Sequence, residues 1–377
     1  MEQDIETVRL LIPGPVTTQR ATKAPMMRDW GCWDAEFLAV TKRVRDKLMA
    51  VANCGTSHVC IPLQGCGSIG VEAAILSLVP KDAKMLVPVN GIYSNRIAEI
   101  CTRIGRTYVA MTVGEGHAPE AEAVDKALAT DRSITHVAIV HCESSTGVLS
   151  PLGEIAAVVR RHGRKLLVDA VSTFGAFDHD AQRLGYDILV STPNKCLEAM
   201  PGLSFTLARR ETVEAAKGTV PSLGLDLHDQ WKQMETNGQW RYTPPTQVVA
   251  ALDVALDLLA AEGGTAKRLQ RYERNRDVLV AEMGKLGFVT LIPPARQAPV
   301  VISFRDPADP HFKFVEFGLG MRRRGYVIYP SRLTRIPTFR VACIGAIDEA
   351  DIRNAVRAID STMKEMGVTD YTPAQAA

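Results

Sequence analysis

The sequence predicts an α/β fold, with a mostly parallel sheet between layers of helices and a smaller α+β unit toward the C-terminus. Three observations carry this. From residue 58 to residue 190, apolar runs of strand length alternate with segments whose apolar residues recur every three or four positions. That alternation builds β-α-β units, with right-handed crossovers and a sheet covered on both faces. Small or polar residues stand at the ends of the apolar runs, where open α/β sheets hold their ligands. The chain, at 377 residues with 46% hydrophobic and 23% charged, is long enough for two or three domains and a large core.

The same composition narrows the functional classes. A formal net charge of +2 gives no strong pull toward nucleic acid or an anionic membrane. The eight cysteines are scattered without a C-x-x-C pair. That argues against structural zinc or a disulfide framework, and for free thiols in a reducing cytoplasm. Residues 1–10 lack the apolar core of a secretion signal. No apolar run approaches the ~20 residues that span a bilayer. The expectation is a cytoplasmic protein.

The elements follow in order. Residues 10–12 are extended and stop at the rigid Pro13-Gly14-Pro15 turn. Residues 34–52 form a helix, with Phe37, Val40, Val44, Leu48 and Val51 at helical spacing. A strand over 58–63 runs into Gln64-Gly65-Cys66-Gly67-Ser68, and a helix over 69–78 is ended by Pro80. Strands at 84–89 and 107–111 alternate with helices at 93–104 and 118–129. A strand over 135–141, a helix over 152–162 and a strand over 165–168 lead to Asp169. The run 186–190 precedes Ser191-Thr192-Pro193-Asn194-Lys195-Cys196. A helix over 246–259 is broken at Gly263-Gly264, which marks a domain boundary. Beyond it come helices at 265–286, 311–324 and 347–363, and strands at 299–304, 326–329 and 338–341.

Three strand ends carry chemistry. A strand, a small-residue turn and a helix start can hold a phosphate, since the first helical amides are unpaired and the dipole favours an anion. Glycine lets the backbone approach, and Ser68 can cap the helix or donate its hydroxyl. A plain tight turn fits the stretch about as well. Neither the P-loop lysine nor the G-x-G-x-x-G fingerprint is present, which sets aside a nucleotide-binding dehydrogenase. Asp169 ends a buried run, so a partner must keep it ionised. That partner is a capped turn, an arginine, or a pyridinium nitrogen. Lys195 is either a surface lysine or an amine that bonds a carbonyl. The 26 residues between Asp169 and Lys195 make one strand-loop-strand step, which places both at neighbouring strand ends. Taken together, Gly67 and Ser68 for a phosphate, Tyr93 for an aromatic ring, Thr146 for a ring substituent, Asp169 for a ring nitrogen and Lys195 for an aldehyde describe pyridoxal 5′-phosphate.

These motifs resemble the class V branch of the fold-type I aminotransferases. The resembling stretches are 10–18, 64–72, His141-Cys142-Glu143-Ser144-Ser145-Thr146-Gly147, Asp169-Ala170-Val171-Ser172, 241–246, and 326–330 through Phe339-Arg340. Asp29-Trp30-Gly31-Cys32-Trp33-Asp34 and Asn194-Lys195-Cys196 are similar to the members that act on 2-aminoethylphosphonate and pyruvate. The resemblance spans nearly the whole chain. It implies a seven-stranded-type sheet in a large domain, with pyridoxal phosphate bonded to Lys195, paired with Asp169 and stacked on Tyr93. It also implies that Gly67, Ser68, Ile69, Thr146 and Thr192 contact the cofactor, with Thr243 reaching across from the other subunit of a homodimer. Arg340 and Pro15 are the implied substrate contacts. The chain departs from the family pattern at Cys66 and Ser68, where serine and threonine are expected, and at Ala342-Cys343, where glycine and asparagine are expected. An alanine- or serine–glyoxylate-type member of the family is the alternative enzyme, and a non-catalytic pyridoxal phosphate-binding protein the alternative class. The expected division is an N-terminal segment at 1–19 near the active site, a large cofactor-binding domain at 20–262, a small domain at 265–368 and a loose tail at 369–377.

Overall fold

The computed structural model describes residues 8–329 and 334–374. Pro330 of the resembling motifs, the first seven residues and the last three of the expected tail lie outside them. The central sheet has seven strands. In spatial order they are His58–Gln64, Leu203–Arg209, Ile188–Ser191, Lys165–Asp169, His136–Val140, Lys84–Val89 and Thr107–Thr112. Leu203–Arg209 is antiparallel to both neighbours, and every other pairing in the sheet is parallel.

Side chains alternate across each strand, so a buried strand feeds two cores. Leu166 and Val168 join one core, and Leu167 between them joins the other. The first core is closed by helices Ala35–Val51, Ala121–Thr130, Leu152–Arg161 and Thr246–Glu262. The second is closed by Gly67–Leu78, Ile92–Arg103 and Leu227–Asn237. Both faces are covered, as a parallel sheet requires.

A third core lies toward the C-terminus. Strands Val301–Arg305 and Thr338–Ala342 pair antiparallel, with Ser303 opposite Arg340. Helices Gly264–Lys285, Phe314–Arg323 and Glu349–Glu365 pack around Phe304, Phe317 and Phe339. Leu11 belongs to this core, and the short strand Arg9–Leu10 pairs parallel with Tyr326–Val327.

Several bounds differ from the sequence expectation for local reasons. The helix expected from 118 starts at Ala121, because Pro119 holds Ala118 out of the helical region. The last helix starts at Glu349, where the Asp348 carboxylate caps Ala350 N and Asp351 N. The strand expected over 326–329 is only Tyr326–Val327. No element was expected between 203 and 245, yet the buried strand Leu203–Arg209 and helix Leu227–Asn237 occupy it. Leu203-Ser204-Phe205-Thr206-Leu207 does alternate at strand period, close behind the Met200-Pro201-Gly202 turn.

Two joints tie the third core to the sheet. At one, Ser303 Oγ donates to Thr146 O at 2.7 Å and Ala298 N to Gly147 O at 2.9 Å. At the other, the buried Arg268 donates to Cys196 O at 2.9 Å and to Glu262 at 2.8 Å. Arg271 bonds Glu198 and Glu262 together with the carbonyls of Gly345 and Ile347. Gly147 is the tightest point of the first joint. Its φ is +95°, and a Cβ there would collide with Val301 O and stand 2.7 Å from Gln297 Nε2. Gly147→Ala is therefore expected to lower unfolding free energy by about 2 kcal/mol or more, read as a shifted urea midpoint at unchanged m-value.

Candidate active site

A cavity of about 190 Å³ opens at the carboxyl ends of the parallel strands. One wall is the start of helix Gly67–Leu78. Its N-cap, Cys66, makes no side-chain capping bond. A Cβ on Gly67 would stand 2.9 Å from Val171 Cγ2 and 3.1 Å from Thr192 Cγ2, so only glycine allows this approach. Ser68 does not cap the helix. Its Oγ accepts from Arg96 Nη1 at 2.7 Å. A guanidinium only donates, so the Ser68 hydroxyl hydrogen stays available for an anion. Thr192 Oγ1 is buried and has no protein partner. Such an orphan costs about 1–3 kcal/mol, a cost that a phosphate oxygen would remove. The helix start, the free hydroxyl hydrogen, the orphaned hydroxyl and the nearby Arg96 charge fit a phosphate group.

The opposite wall holds the carboxylate and the amine. Strands Lys165–Asp169 and Ile188–Ser191 run parallel, with Asp169 opposite Val190. Asp169 accepts from Val171 N at 2.9 Å. Burial pushes its carboxyl up to about 6, against the pull of the Val171 N–H and the Lys195 charge. A buried carboxyl without a cationic hydrogen-bond partner is suited to a protonated ring nitrogen. Lys195 Nζ donates to Ser172 Oγ at 3.0 Å and lies 5.4 Å from the Tyr93 ring centroid. The Pro13-Gly14 turn rests on the stem of this lysine: a Cβ on Gly14 would stand 2.9 Å from Lys195 Cγ. Tyr329 OH donates to Gly14 O and holds the turn there. Cys196, next to the lysine, is buried, and its thiol is pushed up to about 12, which removes it as a nucleophile.

Arg340 is buried and donates through Nη1 to Ser144 O at 2.9 Å. Among the described residues, neither its Nη2 nor the buried Ser144 Oγ has a hydrogen-bond partner. Burial lowers the Arg340 pKa, while Tyr93, Tyr329 and Glu143 nearby support the charge.

The structure thus brings Gly67, Ser68, Tyr93, Asp169, Thr192 and Lys195 to one cavity. Arg340 is not among the residues that line this cavity; it sits close to Tyr93 and Tyr329, which are. Four further expected contacts are placed differently. Thr146 does not line the cavity; its hydroxyl donates to Glu143 O at 3.2 Å and accepts from Val148 N at 3.4 Å. The Ile69 side chain is partly exposed and packs over Gly65. Pro15 is exposed and faces a separate cleft, leaving Pro13 and Gly14 at the cavity. Thr243 is exposed and does not line the cavity of its own chain. Sequence reasoning missed Arg96, Val171, Ser144 and Tyr329. Arg96 stands one helical turn after Tyr93, a spacing that puts both on one face. Val171 and Ser144 lie inside motifs already singled out. Tyr329 also lies inside a resembling stretch, 326–330, and it reaches the site by a contact across 315 residues.

The model of the class V aminotransferases matches residues 21–311, and the chain belongs to that family. Over 369 residues it is 48% identical to the 2-aminoethylphosphonate–pyruvate transaminase of Cupriavidus necator, covering 98% of each protein. It is 45% identical over 361 residues to the enzyme of that name from Pseudomonas aeruginosa PAO1, covering 96% of this chain and 97% of that one. Among solved structures it is similar to pyridoxamine-pyruvate aminotransferase from Mesorhizobium loti, with a TM-score of 0.88 at 24% identity over 98% of this chain and 95% of that one. An alanine–glyoxylate aminotransferase from Nostoc sp. superposes with a TM-score of 0.86 at 24% identity, over 96% and 97%. The two structures show the shared fold.

Asp169 supplies a pH test. Its folded value of about 6 lies above the ordinary 3.8, so between the two the folded protein holds more protons than the unfolded chain. Stability therefore falls as pH rises through that window. In cofactor-free protein, Asp169→Asn should remove a decline on the order of 2 kcal/mol between pH 4 and pH 6. Urea midpoints across that range, with and without the substitution, measure it.

Proposed function

We propose that this protein is a pyridoxal phosphate-dependent transaminase that moves the amino group of 2-aminoethylphosphonate to pyruvate, giving phosphonoacetaldehyde and alanine. The observation that carries the substrate reading is Arg340, a buried guanidinium held through Nη1 by Ser144 O, whose Nη2 has no hydrogen-bond partner among the described residues. A planar cation with a free donor suits both a phosphonate and a carboxylate, and the two half-reactions need one site for both. The names of the near-full-length relatives support the same pair.

The residues divide the work. The Gly67 and Ser68 amides, the Ser68 hydroxyl, Thr192 Oγ1 and Arg96 hold the cofactor's phosphate. Asp169 would hold the ring nitrogen protonated, and Tyr93 and Val171, which line the same cavity, would contact the ring. When bound, pyridoxal phosphate would supply an electron sink for charge developing on the substrate. Lys195 would hold the cofactor through its amine, and its Nζ is the base suited to take the proton from the carbon bearing the substrate nitrogen. Arg340 fixes the anionic end of the substrate, so that this carbon faces Nζ. The Pro13-Gly14 turn, held by Tyr329, covers the lysine stem.

Homodimer assembly, with Thr243 completing the partner's phosphate site, belongs to this proposal, as does a cytoplasmic location. Its support is the exposure of Thr243 and Tyr242. Among the described residues, no helix is long and apolar enough to cross a membrane. The division of the chain near Gly263 into a cofactor-holding unit and a smaller C-terminal unit is part of the same reading.

The visible spectrum of the purified enzyme tests the function. Yellow protein that bleaches with 2-aminoethylphosphonate and recovers with pyruvate is expected. Bleaching only with alanine or serine points instead to a glyoxylate-type enzyme, and failure to take up pyridoxal phosphate overturns the proposal. Lys195→Ala should retain the cofactor poorly and show no turnover above background; full activity in that variant would remove the lysine from its role.

A further inference from the structure

We propose that Glu143 is a positioning residue for this reaction, holding the Tyr93 ring and the Arg340 guanidinium in one frame. The inference rests on the function proposed above. It concerns a motif, 141–147, in which only Thr146 had been assigned a contact.

The Glu143 side chain is fully buried. Its oxygens accept from Tyr93 N at 3.1 Å, Ser94 N at 3.0 Å, Ser94 Oγ at 3.2 Å and Ser145 Oγ at 2.6 Å. The two amides belong to the first turn of helix Ile92–Arg103, where they have no partner within the helix. A carboxylate there also meets the positive end of the dipole. The approach is close: a Cβ on Gly91 would collide with the Glu143 side chain. The anchored helix carries Tyr93, which faces Lys195 Nζ, and Arg96, which holds the Ser68 hydroxyl. So the carboxylate fixes two walls of the cavity.

The backbone that follows Glu143 reaches the other way. Ser144 O accepts from Arg340 Nη1 at 2.9 Å, and Thr146 O from Ser303 Oγ at 2.7 Å. Ser303 and Arg340 are register partners on the two strands of the third core. A single loop therefore reads both sides: its carboxylate sets the ring-stacking helix, and its carbonyls set the substrate arginine. A structural residue would stabilise the fold only. A positioning residue also sets the angle of the bound ring and the fit of the anionic substrate.

The test uses the loaded enzyme. Glu143→Gln keeps the shape but removes the charge and replaces one acceptor oxygen with an amide NH2, a donor that must face either the helix amides or the Ser145 hydroxyl. It is expected to cut kcat about tenfold or more and to raise KM for 2-aminoethylphosphonate several-fold. The visible circular dichroism of the bound cofactor should change, with far-ultraviolet dichroism and cofactor content retained. Wild-type kcat, KM and visible dichroism overturn the inference, and so does a lowered melting temperature as the sole change. If Glu143→Gln yields no folded protein, Glu143→Asp decides on the same readouts: its shorter carboxylate keeps the charge but falls short of the helix amides. A wild-type chain that takes up no pyridoxal phosphate overturns the proposed function instead, so the two failures are distinct.

Discussion

The shared direction of two strands, Lys165–Asp169 and Ile188–Ser191, is the constraint on which the site depends. Parallel neighbours about 4.8 Å apart end at the same edge of the sheet. The carboxylate that closes one strand and the lysine loop that follows the other therefore meet without any long excursion of chain. The antiparallel strand Leu203–Arg209 extends this edge. By returning the chain between Ile188–Ser191 and His58–Gln64, it leaves the phosphate-type turn after Gln64 on the same side. Gly70 lets helix Gly67–Leu78 lie directly on these strands, since a Cβ there would stand 2.7 Å from Ser204 Cβ and 3.0 Å from Val190 Cγ1. Sheet direction places the groups, and two glycines, Gly67 and Gly70, bring the helix close enough to join them.

The lysine loop needs more than strand ends. Glu198 has φ of +55°, a conformation that costs a non-glycine residue about 1–3 kcal/mol. It persists because its buried carboxylate is held by Arg271 Nη2 at 2.7 Å and Tyr272 OH at 2.6 Å, while Arg268 grips the carbonyl of Cys196. Buried ion pairs add little net stability, because desolvation offsets attraction. Their contribution here is geometric: two arginines of one helix, Gly264–Lys285, fix the backbone on which Lys195 stands.

The sheet was legible in the sequence because buried parallel strands read as uninterrupted apolar runs. The same rule gave Asp169 and Lys195, which end such runs. Leu203–Arg209 was not read, since its alternating pattern followed a Met-Pro-Gly turn that looked like the close of an element. The strand-end rule points to Thr146, which shares one motif with Ser144. Only the fold shows that the Thr146 hydroxyl is spent on its own loop and the Ser144 hydroxyl is not. The resemblance implies Pro15, but Pro13 and Gly14 are the residues of that turn that reach the cavity, because a rigid turn announces itself without showing which residue faces inward. Tyr329 lies in a stretch that resembles the family, but its hold on Gly14 and that of Ser144 on Arg340 span hundreds of residues, which no local pattern encodes.

The Pro13-Gly14 turn has a consequence for how the enzyme is made. It is held by Tyr329 and by the pairing of Arg9–Leu10 with Tyr326–Val327. Tyr329 follows Gly14 by 315 residues, so at roughly 5–20 residues per second a ribosome makes the two tens of seconds apart. The strands of the sheet lie between them in the sequence and emerge in that interval. The turn waits for its partners through the making of the sheet, and the wall over Lys195 closes after the floor on which it stands.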